Sequence, residues 1–467
     1  MHLVIIGGGI TGLSAAWEAQ QRGIHYTLLE ASDRWGGKVI SSEIRMNGSR
    51  FLVDGGPDTI VTRKPEAWDL TNELGLLDQV ENPGSETRGM YVLDNASPQP
   101  IPLSPLKFIG STLMTTRGKL RLLAEPFQPA RRDDADESLG DFVRRRLGKE
   151  ALDKFIGPVL GGIYNTDPNV QSIMVSSPVM REMEKEAGSL FLAALQRGLR
   201  AGKSPNGTKK PRFITYKTGL QGIVDGLVSQ LTGDLRLNSS VESIEKNHSG
   251  YDVQLMRGDI FRADAVVIAT LANVASGLLR GILPEASQGL EKIRHNHIGT
   301  VSLVYKESDL SKLNINGLMI PRREKRSIDA VTFTSKKMPH RSAPGYASLR
   351  VFIGGGKPEV VEYEEEKLLE VIQRELSELL GIKATPATYK IFRWQNGFPQ
   401  AEVGHLDLID EIESRLPDTI ALAGSSYRGI AVPDCIRQGR NAITKILNTK
   451  DTKDSKVGEL AQQEAFS

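Results

Sequence analysis

The 467-residue chain contains one cysteine, Cys435. That excludes an internal disulfide and a cysteine-based zinc cluster, and it suits a reducing cytoplasm. Charge of one sign is also missing: 59 Lys and Arg stand against 57 Asp and Glu, a net charge of +2. Binding to nucleic acid through bulk positive charge is thereby disfavoured. No apolar run reaches the ~18 residues needed to span a bilayer, and the apolar start is too short for a signal peptide. No internal repeat is visible. The length suggests two or three domains rather than one core.

What is present begins at residue 2. His2 to Ile6 (HLVII) reads as a strand, Gly7 to Gly12 (GGGITG) as a glycine turn, Leu13 to Gln20 as a helix, and Tyr26 to Leu29 as a second strand ending at Glu30. Strand, glycine turn, helix, strand and acid form the dinucleotide-binding fingerprint in its proper setting. Gly7 permits the tight turn, Gly9 lets a pyrophosphate approach the backbone, and Gly12 lets the helix pack closely on the sheet. The helix N-terminus offers free N–H groups and a positive dipole end to phosphate. Glu30 stands where a ribose-binding acid is expected.

The pattern along the chain is α/β. Residues 39–62 resemble a β-ribbon, Pro65 to Leu77 a helix and Gly89 to Leu93 a strand. From Leu106 to Arg200 the chain reads as mostly helical, with Ser138 and Asp141 in capping-box spacing and one long helix from Met180 to Leu199. Strands return at 213–216, 241–245, 251–256 and 263–270, then a helix at 364–380, a buried strand at 420–424 and a helix at 434–447. This predicts a discontinuous Rossmann-type cofactor domain built from 1–80, 213–272 and 405–447. A mixed-sheet substrate domain would take 81–105 and 273–404, a helical lobe 106–212, and a polar, frayed tail 448–467.

Two further stretches carry a family resemblance. Arg34-Trp35-Gly36-Gly37-Lys38, directly after Glu30, resembles the extended motif of two-domain flavoproteins such as flavin amine oxidases, phytoene desaturases and porphyrinogen oxidases. Ala423 to Ile436 (AGSSYRGIAVPDCI) resembles the C-terminal signature of the porphyrinogen oxidases of haem biosynthesis, as do GPDT at 56–59, RGMYV at 88–92 and RWQNGFPQAEVGH at 393–405. The likeness runs from residue 1 to about 447 and is strongest to the soluble Gram-positive type, which oxidises coproporphyrinogen III.

The resemblance implies a flavin amine oxidase-like fold and FAD held without a covalent bond. Cofactor contacts then fall on Gly7, Gly8, Gly9, Ile10, Thr11, Gly12, Glu30, Ala31, Gly37, Lys38, Gly56, Pro57, Asp58, Thr59, Val241, Trp394, Gly424, Ile430, Ala431 and Val432. The helix after Pro433 would aim its N–H groups at the flavin edge that gains negative charge on reduction. Cys435 opens that helix and reads as a packed residue, not a covalent flavin anchor.

A porphyrinogen substrate, dioxygen as oxidant and three hydride transfers to flavin N5 follow from the same resemblance, with no metal. His295, His297, His340 and His405 offer no convincing catalytic group, so no general base is assigned. Propionate side chains call for cations. Arg88 matches the family's propionate-binding position and Lys64 follows the GPDT turn; Arg63, Arg181 and Lys185 are weaker candidates. Leu106 to Ile109 with Leu113 and Met114 reads as the inner face of the helical lobe, leaving open a transient membrane contact and a peripheral location; a haem-pathway enzyme partner is likewise open. The sequence departs from many relatives at Tyr164-Asn165-Thr166-Asp167 and at Thr59-Ile60, both on the substrate side. A protoporphyrinogen oxidase is the rival enzyme; a non-catalytic porphyrin-binding flavoprotein is the rival outside enzymology.

Overall fold

The computed structural model describes residues 1–83, 89–102, 110–201, 211–310, 313 and 315–464. Five parallel strands form its first sheet, in the order Asp234–Arg236, His25–Leu29, His2–Ile6, Ala265–Ile268 and Ile420–Leu422. Three distant portions of the chain therefore meet in one parallel sheet. The central strands are apolar throughout because both faces are covered. Leu3, Ile5, Leu28, Val267 and Ala421 point into one core, with helix Ile10–Gln21 and the last helix, Val432–Glu464. Val4, Ile6, Leu29, Val266 and Ile268 point into the other. The side-chain period of two assigns successive residues to opposite layers.

That second core differs from the sequence expectation. Helices Ala272–Leu279 and Pro284–Glu291 bury Ala275, Leu279, Ala286 and Leu290 against the parallel sheet. The segment from 273 to about 291 packs with the cofactor layer, not the substrate layer where the boundary at 272 had put it. Strand Phe213–Tyr216 also lies outside the parallel sheet; it pairs with Ile60–Val61 and Val80–Glu81. The last helix, expected to end at 447, runs from Val432 to Glu464.

The second large sheet has seven strands, in the order Thr388–Pro399, His295–Lys306, Tyr346–Ile353, Ala330–Thr332, Gly317–Met319, Met90–Asp94 and Ser97–Pro100. Helix Glu365–Leu380 covers it, burying Leu368, Ile372 and Leu376 at helical spacing against Val301, Leu303 and Val351. It stops at Gly381, whose φ of +68° suits a glycine cap.

The helical lobe carries the expected cap: Ser138 Oγ accepts from Asp141 N at 2.9 Å and opens helix Leu139–Arg146. The single helix expected over Met180–Leu199 is two, Pro178–Ala187 and Leu190–Ala201. Gly188 turns out of the first at φ +68°, and Ser189 Oγ caps the second by accepting from Leu192 N at 3.1 Å. Arg181, on the first of these helices, is 2% exposed and bonded to Glu184 and to backbone carbonyls of Arg131 and Asp133. It is a buried structural cation and not a substrate contact, because its guanidinium ties the lobe's helices to the 131–133 loop. Lys185 pairs with Asp134 on the surface. Leu113 and Met114 are buried, as the inner-face reading requires; Leu106 to Ile109 lie outside the described residues.

Candidate active site

A cavity of about 1020 Å³ runs from the glycine turn of the parallel sheet to the seven-stranded sheet and the helical lobe. Its first end is built by local chemistry. Gly36 N donates to Gly8 O at 2.8 Å and a parallel bridge joins Gly9 to Gly36, so the two glycine motifs lie side by side. A Cβ on Gly37, at φ +58°, would come 3.3 Å from Gly9 Cα. Gly9 itself has open space where a Cβ would stand, whereas a Cβ on Gly12 would lie 1.9 Å from Gly7 O. The first glycine faces the cavity; the second makes room for the helix.

Glu30 lines the cavity, held by Gly8 N at 2.6 Å and by Ser32 N and Oγ at 2.9 and 2.7 Å. Gly8 thus acts behind the wall. Its missing side chain accommodates Trp35, whose ring a Cβ would meet at 2.5 Å. Lys38 lines the wall too. Its Nζ donates to Gly397 O at 2.5 Å and Ser425 Oγ at 3.3 Å, joining three distant segments. Burial pushes this amine down to about 8. Asp58 stands opposite, 2.8 Å from Lys337. Burial opposes its ionisation, but Lys337 and the Arg350 and Arg341 guanidiniums prevail and hold its carboxyl well below the usual range.

Of the expected cofactor residues, Gly7, Gly9, Ile10, Thr11, Glu30, Gly37, Lys38, Gly56, Pro57, Asp58, Thr59, Trp394, Gly424, Ile430, Ala431 and Val432 all line this one cavity. Trp394 Nε1 donates to Gly55 O at 3.2 Å, which fixes the indole against the wall. Gly12, Ala31 and Val241 do not line it. Gly12 is a packing residue, Ala31 is exposed, and Val241 packs its side chain on the second core at the start of strand Val241–Lys246.

Cys435 also lines the cavity. Burial pushes its thiol up to about 11, against the pull of Thr11, Lys38 and Lys64, so the sulfur stays protonated. Among the described residues no histidine lines the cavity. His405 is buried with its Nε2 2.8 Å from Tyr427 O, and His295 Nε2 is 3.2 Å from Ser426 Oγ. No metal-ligand cluster occurs among the described residues either.

The cations chosen from sequence fare differently. Arg88 lies outside the described residues. Arg63 is exposed. Lys64 does not line the cavity; its Nζ is engaged by Asp434 at 2.6 Å, a pairing across the fold that spacing along the chain cannot reveal. The basic wall is instead Arg144, Arg322, Arg323, Arg350 and Arg393. Sequence reasoning passed over all five. The one signal nearby was the unusual stretch from Tyr164 to Asp167, of which Asn165, Thr166 and Asp167 line the cavity.

Known proteins agree with this geometry. Residues 10–447 match the model of the family described as flavin containing amine oxidoreductase. A Bacillus subtilis protein named coproporphyrinogen III oxidase is 31% identical, over 96% of this chain and 98% of that one. Protoporphyrinogen oxidase 2 of Arabidopsis thaliana is 28% identical, over 96% and 94%. A solved structure from Exiguobacterium sp. 255-15 superposes with a TM-score of 0.81 at 29% identity, covering 95% of this chain and 98% of that one.

Proposed function

The chain belongs to the flavin-containing amine oxidoreductase family; we propose that it is a porphyrinogen oxidase of haem biosynthesis whose substrate is coproporphyrinogen III, oxidised to coproporphyrin III with dioxygen as acceptor. The observation that carries this is the single cavity joining the glycine-lined groove to the basic, sheet-walled space. A nucleotide and a macrocycle would share one enclosure.

The groove fits FAD. Gly9 leaves open space where a diphosphate would approach, Glu30 presents a carboxylate to a ribose, and Gly424 has φ +140°, a conformation few side chains tolerate. The backbone of Ile430 to Val432 and the start of the last helix line the same cavity and would bound a flavin ring. A flavin held there would supply a two-electron acceptor for the substrate's hydride, with dioxygen as the final oxidant and hydrogen peroxide as its product. Cys435 is a buried thiol in the cavity wall, and we propose that the flavin is held without a covalent bond to it.

The chain's own residues position and enclose. Ile298, Phe352, Ile353, Trp394 and Phe398 offer apolar walls for a macrocycle. Arg322 and Arg393, which line the cavity and make no ion pair among the described residues, offer charge to its propionates; the choice of coproporphyrinogen III rests on the likeness to the Bacillus subtilis protein. Arg88 remains our proposed propionate partner on resemblance alone. No residue is assigned as general base.

Anaerobic addition of coproporphyrinogen III to the purified yellow protein should bleach the flavin, and oxygen should restore it with porphyrin fluorescence. Turnover of coproporphyrinogen III should exceed that of protoporphyrinogen IX. Equal or reversed preference would make protoporphyrinogen IX the substrate. Porphyrin binding without bleaching would make the protein a carrier.

A further inference from the structure

Asn165 and Arg322 meet where the helical lobe faces the seven-stranded sheet, and both line the cavity. Asn165 follows helix Gly157–Tyr164 in the left-handed region, at φ +44°, a conformation asparagine tolerates better than most residues. Its carbonyl is bonded twice, by Asn296 Nδ2 at 3.0 Å and Arg322 Nη2 at 3.3 Å. The side chain is different. The residue is 9% exposed, yet neither Oδ1 nor Nδ2 has a hydrogen-bond partner. A buried amide without partners is costly, and native structures keep one where something else completes it. The amide packs against Gly355, where a Cβ would come 2.4 Å from Asn165 Oδ1 and 2.9 Å from Asp329 Oδ1, so a small turn of the side chain is needed to present it to a ligand.

Arg322 supplies charge at the same place. It is exposed at the cavity rim, and among the described residues its guanidinium makes the single hydrogen bond to Asn165 O. Its neighbours are committed elsewhere. Arg323 holds Asp94 and the Asp153 carbonyl, and Arg144 holds Asp141 and Asn169. The nearby Asp329 carboxylate accepts from Gly355 N at 2.6 Å and Gly356 N at 2.7 Å; burial pushes its pKa up, against the pull of these bonds and of the Arg322 charge, so Arg322 faces this carboxylate without an ion pair to it.

We propose that Asn165 and Arg322 form a subsite for one carboxylate of the ligand. The guanidinium supplies the charge and two further N–H donors, and the asparagine amide supplies a donor from the side. The inference rests on the porphyrinogen reading, under which the carboxylate is a propionate of the macrocycle. It does not require that a hydride be transferred.

Binding separates the two. Flavin-loaded protein is titrated with coproporphyrin III and with its tetramethyl ester, followed by porphyrin fluorescence. Arg322→Gln and Asn165→Gly, the latter chosen because glycine accepts the same φ, should each weaken binding of the acid about tenfold and leave the ester unchanged. Asn165→Asp, which faces one carboxylate with another, should weaken the acid more. Flavin content and thermal midpoint report folding; Arg322→Gln sits at an exposed position and keeps the test open if the Asn165 variants are unstable. Wild-type affinity for the acid in both Arg322→Gln and Asn165→Gly overturns the subsite while leaving the function intact. A wild-type protein that binds neither porphyrin overturns the function, and the propionate assignment with it.

Discussion

Lys64 Nζ lies 2.6 Å from each carboxylate oxygen of Asp434, tying the turn after strand Ile60–Val61 to the first turn of the last helix. Asp434 is nearly buried, receives Arg437 as well at 3.0 Å, and stands against Gly429, where a Cβ would meet it at 2.8 Å. The pair thus fixes the approach of residues 430–432 to the cavity.

Lys64→Ala should therefore act on stability and flavin retention before it acts on substrate. Removing one partner leaves a buried carboxylate with a single cation, a loss of about 1–3 kcal/mol. Denaturation of the apo protein and equilibrium dialysis of FAD measure both. A raised KM with unchanged stability would place Lys64 at the substrate after all.

The glycines of the first turn should separate by role. Gly9→Ala adds a methyl into open cavity space, so the apo protein should fold with a change of at most about 1 kcal/mol while FAD affinity falls sharply. Gly12→Ala drives a methyl to within 1.9 Å of Gly7 O and should cost stability at or above the upper end of the usual ~1–3 kcal/mol for overpacking. Equal loss of fold in both variants would show that Gly9 does not face the ligand.

Lys38 gives a pH signature. Its amine is pushed down to about 8 by burial, while in the unfolded chain it titrates near the ordinary lysine value of 10.5. Between those values the unfolded state binds more protons, so this group makes stability rise with pH across that window and contributes nothing above it. In flavin-free protein, the stability difference between Lys38→Met and wild type should shrink or grow by up to about 3 kcal/mol from pH 8 to 10.5, in favour of wild type at the alkaline end. A pH-independent difference would mean that Lys38 keeps its ordinary affinity for protons.

Cys435 should be silent. With its thiol pushed up to about 11 by burial, it should resist thiol reagents at pH 8 until the protein unfolds. Acid precipitation of the holoenzyme should leave all yellow colour in the supernatant. Colour retained in the pellet would indicate a covalent flavin.

The sequence by itself determined the cofactor end. Leu3 and Ile5 against Val4 and Ile6 assign two cores to two faces of one sheet, and the glycine turn, the acid and the second glycine pair define a groove by steric rules that act over a few residues. The same locality explains the cap at Ser138. Only the tertiary structure decided the substrate end. Lys64 meets a carboxylate 370 positions away, Arg181 goes inward onto Glu184 and the 131–133 loop, and Arg322 and Asn165 are joined across 157 positions. A charged side chain looks alike in sequence whether it is solvated, buried or facing a ligand. Its role is set by which opposite charge the fold brings within hydrogen-bond reach, and that pairing has no period along the chain.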